Sequence, residues 1–162
     1  PDHRNAGKVV VDASYMVIVP NVCPDTPPLS KNPLFLYMED NFTKPYPHEP
    51  DIVVSIDNII ELKIDGLHAH TSQMYEWLPW TNGGDKILAK IPTTNNERRK
   101  WLTKRVKNRS NNIDSIKRIS LVKWYGKDLA QKVKYIESFE VAEYGMQPSD
   151  KDIRSLFPML KK

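Results

Sequence analysis

The chain of 162 residues contains one cysteine, Cys23, which excludes an internal disulfide framework and any Cys-x-x-Cys zinc site. A lone thiol fits a reducing compartment, and the cytoplasm is the expected setting. No run approaches the ~20 apolar residues of a membrane span. The opening residues PDHRNAGK do not read as the basic-then-apolar start of a secretory signal. Several chemistries lack their signature as well. There is no G-x-S-x-G nucleophile elbow, no P-loop and no dinucleotide fingerprint, and Cys23 has no histidine near it in sequence. Internal repeats and low-complexity tracts are absent.

What remains is one domain of ordinary size, with a net charge of +4 and a pI near 9.1. That charge permits anionic partners without demanding them. Eight of the thirteen prolines lie between Pro20 and Pro50, so that part is expected to be mostly loop. The chain starts without methionine and reads as a helix within a few residues. It is therefore expected to be a fragment or a processed product.

In chain order, Pro1 to Val19 predicts a helix, with Pro1 and Asp2 suited to its first turn. His3, Ala6, Val10, Ala13 and Val17 share one face, which would point His3 inward at the helix N-terminus. That is a place for a metal ligand or an anion contact. Leu34 to Met38 predicts a strand. Glu39 to Pro50 is loop, with Phe42, Tyr46 and His48 at its surface. Asp51 to Ile56 predicts a second strand, apolar without alternation, as in a sheet covered on both faces. It runs directly into a helix with Asp57 as N-cap. A strand followed at once by a helix predicts a parallel-sheet unit, with ligands at the C-terminal strand ends. Asn95 to about Lys132 predicts two helices broken near Ser110-Asn111-Asn112. Val133 to Tyr144 predicts a final strand, and Ser149 to Asp152 a capping-box start to a last short helix.

The stretch Asp57 to Trp80 predicts one helix with three faces. Ile60, Ile64, Leu67, Thr71, Met74 and Leu78 recur at the spacing of a buried stripe. Glu61, Asp65, Ser72 and Glu76 make a solvent face. Lys63, Gly66, His70, Gln73 and Trp77 form a third row, the composition of a polar pocket wall or of a boundary row around a satisfied histidine. The histidines available to a metal are His3, His48, His68 and His70. His68 and His70, two apart on a helix, point roughly opposite ways and cannot share one ion. Counting ligands, a complete zinc site is not encoded in these residues. The basic run Arg98 to Lys123, with Trp101 and Trp124 interspersed, could stack on and neutralise nucleic acid. A solvated helical surface diluted by Glu97, Asp114 and Asp128 accounts for it more simply, so nucleic acid is not the expected partner.

Three stretches taken together resemble the PIG-L/LmbE-like de-N-acetylase family. PDHRNA at 1–6 resembles the end of its His-Pro-Asp-His motif. LHAHTSQ at 67–73, preceded by Lys63, resembles its late Lys…His-x-Ser-Gln helix. Glu137-Ser138-Phe139, followed by EVAEYG, resembles its closing Glu-Ala-Phe strand. FLYMEDNFTKPYP and YEWLPW also look like one bacterial branch, so that the resemblance covers nearly the whole chain, with its motifs in the right order. It implies an α/β, Rossmann-like fold with a mostly parallel sheet flanked by helices. Residues 1–162 would be the C-terminal portion of a single domain lacking its N-terminal strands.

The implied activity is a zinc-dependent hydrolase that removes acetyl groups from N-acetylated amino sugars. His3 would be a zinc ligand and Asp2 would orient a preceding histidine. His70, the catalytic candidate, and Gln73 would sit behind the metal ligands or against the sugar, and Lys63 and Trp77 are substrate-binding candidates that are structural by default. The family's Pro-His-Pro-Asp-Asp motif, with two further ligands and the general base, is not in this chain. An upstream segment or a second polypeptide would complete the site. The alternative is a non-catalytic relative that binds a carbohydrate or a protein partner.

Overall fold

A computed structural model describes residues 2–160, so that Pro1, expected in the first helical turn, lies outside the described residues. The described residues form a mixed α/β fold: eight α-helices, one π-helical turn and a small three-stranded sheet in the order β1-β3-β2. Helix α1 spans Asp2–Met16, and the proline-rich segment leads to β1, Leu34–Met38. Strand β2, Ile52–Ser55, precedes α2, Ile60–Ala69. The chain then passes through a π-helical turn (Gln73–Trp77) and short helices α3 (Leu78–Thr81) and α4 (Asp85–Leu88). The long helix α5 (Asn95–Ser110), α6 (Ser115–Tyr125) and α7 (Lys127–Ala130) follow, before β3 (Ile136–Gly145) and α8 (Asp150–Leu156).

Both ladders of the sheet are antiparallel. The mostly parallel sheet expected from the strand-then-helix order is not what these residues build. A helix after a strand fixes only that the chain leaves the sheet. The direction of return is set by the next strand, and here β3 comes back antiparallel to β2 after a long helical excursion. The double-sided burial expected of β2 does hold. Ile52 and Val54 enter a cluster with Ile60, Ile64, Tyr75, Leu102 and Val106, while Val53 faces Leu121, Ala130, Val133 and Ile136. Helix α6 covers the outer edge of β2, where an exposed row of backbone groups would invite pairing. Ser120 Oγ and Trp124 Nε1 donate to the Asp51 carbonyl at 3.1 and 2.9 Å, and Ser55 N–H donates to the Tyr125 hydroxyl at 3.0 Å.

The helix expected over Asp57 to Trp80 is interrupted at His70, whose φ of −84° and ψ of 64° end α2. The extra residue of the π turn then rotates the following side chains by roughly 100° relative to an α-helix. Ile60 and Ile64 are buried as expected, but Thr71 and Leu78 are exposed and Tyr75 and Pro79 take the inward positions. Asp57 is not the N-cap. Its carboxylate accepts from Lys134 N–H at 3.1 Å and Tyr135 N–H at 2.6 Å, tying the start of α2 to the entry of β3. Along α1 only Ser14 is fully buried, and His3, Ala6 and Val10 of the expected inward face are exposed.

The expected break between α5 and α6 and the capping box of α8 are present. Ser149 N–H donates to Asp152 Oδ2 at 2.9 Å while Asp152 N–H reaches Ser149 Oγ at 3.3 Å. Ser149→Ala is therefore expected to cost about 1 kcal/mol of stability, read as a shift of the urea midpoint. An unchanged midpoint would show that the cap contributes nothing.

Candidate functional site

The register of β1 on β3 sets Tyr37 opposite Glu140 and Met38 opposite Phe139. Alternation along β3 places Ser138 and Glu140 on one face, with Glu137 and Phe139 on the other. On the Glu140 side, a cavity of about 820 Å³ opens between the first turn of α1, the end of β1 and the loop that follows it. His3 and Arg4 form one rim, Asp40, Phe42, Lys44 and Tyr46 another, and His48 and Glu140 the inner wall. Burial is the largest influence raising the Tyr37 phenol above its ordinary range, with neighbouring acidic groups adding to it. Glu140 is the main cause of the raised value at Tyr46. Both phenols thus remain protonated donors well above neutral pH.

Behind the inner wall runs a buried polar chain. Lys117 Nζ, on a side chain only 5 % exposed, lies 2.6 Å from Glu39 Oε1 and donates to the Asn112 carbonyl at 3.1 Å. Ser138 Oγ donates to Glu39 Oε2 at 2.7 Å, and His48 Nε2 lies 3.2 Å from Ser138 Oγ. His48 Nδ1 is 3.4 Å from Glu140 Oε2, which also accepts Glu49 N–H at 2.9 Å. Burial alone would raise the Glu39 carboxyl. The hydrogen bonds from Lys117 and Ser138 outweigh it, and the group sits below its ordinary value.

Ser138, His48 and Glu140 have the order of a hydrolytic triad, but the wiring is different. The single proton of Ser138 is committed to Glu39, and Ser138 is 3 % exposed, out of reach of a substrate carbonyl. The trio holds the wall in place rather than attacking anything.

Of the site residues carried over from the resemblance, His3 lines this cavity and Asp2, Lys63, His70, Gln73 and Trp77 do not; Phe42, Tyr46 and His48, expected at the loop surface, line it as well. Asp2 precedes His3, its carboxyl held below the ordinary range by the open backbone N–H groups of His3 and of Asp2 itself. Lys63 pairs with Glu137 at 2.7 Å, which joins two of the family-like stretches, on the face of β3 opposite Ser138 and Glu140. His70, Gln73 and Trp77 are exposed and do not line the cavity, so the third row of the expected helix is not its wall. Trp77 stacks on Trp80 with ring centroids 5.6 Å apart. His68, by contrast, is half-buried with Nδ1 2.6 Å from the Tyr75 hydroxyl, a satisfied core histidine.

Among the described residues no three histidine, cysteine, aspartate or glutamate side chains gather to hold a metal ion. His3 offers one nitrogen, whereas zinc takes three or four ligands. The described residues by themselves do not fit a zinc centre. The basic helices are largely occupied within the fold. Arg99 pairs with Glu61 and Asp65, Lys107 with Glu61, and Lys123 with Asp150. Trp124 is fully buried and unavailable for stacking on bases.

His48, Glu39, Lys117, Ser138 and Glu140 were not legible as a group. They lie on a loop, a strand end, a helix and a distant strand, and no spacing relates them. The one local signal is the i, i+2 relation of Ser138 and Glu140, which puts them on one strand face. No helix is long and apolar enough to cross a membrane among the described residues. No family model matches the chain, and no solved structure matches it.

Proposed function

We propose that this chain is the substrate-recognising portion of a zinc-dependent de-N-acetylase acting on an N-acetylated amino sugar. In this reading His3 supplies one zinc ligand, and the remaining ligands and the general base come from outside these 162 residues. The observation that carries it is the position of His3. Of the site residues carried over from the resemblance, it alone opens into the cavity, whose other walls suit a sugar ring: phenyl and phenol faces alternating with charged and hydrogen-bonding groups. Zinc, when bound, would polarise the acetamide carbonyl and a water. The ion pair Lys63–Glu137 supports the same reading more weakly, since it ties the family-like helix to the family-like strand. A mostly parallel, Rossmann-like sheet would then require strands from outside the described residues. A reducing, cytoplasmic setting accords with the lone exposed Cys23.

The test is zinc content and acetate release in the full-length protein. The expected result is one zinc per assembly by native mass spectrometry and acetate released from N-acetylglucosamine or a conjugate of it, with both lost in His3→Ala. Unchanged metal content and turnover in that variant would sink the reading.

The exposed positions of His70, Gln73 and Trp77 away from the cavity favour a second reading, a non-catalytic relative that binds carbohydrate in the same cavity. Sugar binding without zinc and without acetate release is its expected signature.

A further inference from the structure

Glu140 is a carboxylate with one oxygen fastened and the other not. Its side chain is 14 % exposed and lines the cavity. Oε2 accepts the Glu49 N–H and faces His48 Nδ1, whereas Oε1 is bonded to none of the described residues. A carboxylate can accept about four hydrogen bonds. Oε1 opens into the cavity, where water or a ligand can donate to it.

The Glu49 N–H fastens Oε2 at 2.9 Å, and the His48 ring lies against it, held by Ser138, whose own proton goes to Glu39. Glu39 is in turn held by the buried Lys117. A ligand meeting Glu140 finds the acceptor already in place and loses little free energy in ordering it. The cavity's charges bear on what that ligand is. Arg4 and Lys44 stand against Asp40 and Glu140, which disfavours a strong polyanion or polycation. The exposed rings of Phe42 and Tyr46 offer flat apolar faces on the same cavity.

We propose that Glu140 is the specificity-determining residue of this cavity: Oε1 accepts a hydrogen bond from a hydroxyl or ammonium donor on a ring ligand that lies against Phe42 and Tyr46. The inference rests on the carbohydrate reading above and adds the group that selects the ligand. A hydrogen bond to a charged acceptor is stronger than one to a neutral acceptor. Glu140→Gln, which keeps the shape and removes the charge, is therefore expected to weaken binding by about tenfold or more.

The experiment is an NMR titration of the metal-free full-length protein with N-acetylglucosamine and with glucosamine. Wild type, Glu140→Gln and Tyr46→Ala are compared, the last changing an exposed side chain. Weaker binding of both sugars to Glu140→Gln, at an unchanged thermal midpoint, supports a hydroxyl donor. Tighter wild-type binding of glucosamine, erased by the substitution, supports the ammonium. Tyr46→Ala is expected to weaken both. Wild-type affinity in both variants, or no binding of either sugar to wild type, overturns the proposal. Absence of acetate release from zinc-loaded protein, with binding still sensitive to Glu140→Gln, defeats the enzyme reading alone. Acetate release with binding insensitive to Glu140→Gln defeats this inference alone.

Discussion

Trp124→Ala is expected to lower the unfolding free energy by about 3–5 kcal/mol. The indole is 0 % exposed and belongs to the main core cluster with Ile52, Tyr75 and Leu102. Removing it opens a large cavity that rigid neighbours fill only in part. It also removes the donor that meets the Asp51 carbonyl at 2.9 Å, leaving Ser120 Oγ at 3.1 Å to satisfy that group. Lys123 Nζ and the Arg154 guanidinium lie 4.5 and 5.3 Å from the ring centroid, so two cation–π contacts go with it. Urea unfolding followed by far-UV circular dichroism measures the loss. Trp124→Phe, which keeps most of the apolar volume and loses the N–H, should recover more than half of it. A loss below about 1 kcal/mol in Trp124→Ala would mean that α6 does not hold the β2 edge as described.

Lys117→Met should be the next most damaging substitution, at about 3 kcal/mol. Breaking a buried ion pair by removing one partner strands the other charge. Glu39 keeps some solvent contact, its side chain being 36 % exposed, which places the cost at the low end of the usual range. The pH dependence gives a second readout. Glu39 titrates below its ordinary value in the folded chain, burial being outweighed by the Lys117 and Ser138 hydrogen bonds. Its contribution to stability is therefore present above the ordinary glutamate range and is lost as pH falls through the lowered folded value. Lys117→Met removes the largest influence holding that value down, so the gap between wild type and variant should be wide at neutral pH and narrow in acid. A gap that is constant with pH would show that Lys117 acts by packing alone.

Both substitutions fall on residues whose weight was hidden in the sequence. Trp124 and Lys117 sit in a run so basic that it reads as a solvated or nucleic-acid-facing surface, yet both are buried. Periodicity detects a stripe of apolar residues. It does not register a lysine whose ammonium is satisfied by Glu39, a residue 78 positions away along the chain. His48 was similar. In a proline-rich loop it looked like a surface residue, but its side chain is only 8 % exposed because Ser138 and Glu140 receive it.

The local order of the chain was determined by the sequence itself: the strand at Leu34–Met38, the doubly buried Ile52–Ser55, the break after Ser110 and the capping box at Ser149. These depend on composition and spacing within about ten residues, where propensity, capping and alternation act directly. The single cysteine was equally plain. The tertiary structure alone decided the antiparallel return of β3, the π turn that brings Tyr75 inward in place of Leu78, and the polar chain from Lys117 to Glu140. Each of these is a meeting of groups far apart in sequence. The free energy that selects it comes from burial and from satisfied hydrogen bonds across elements, which no local pattern encodes.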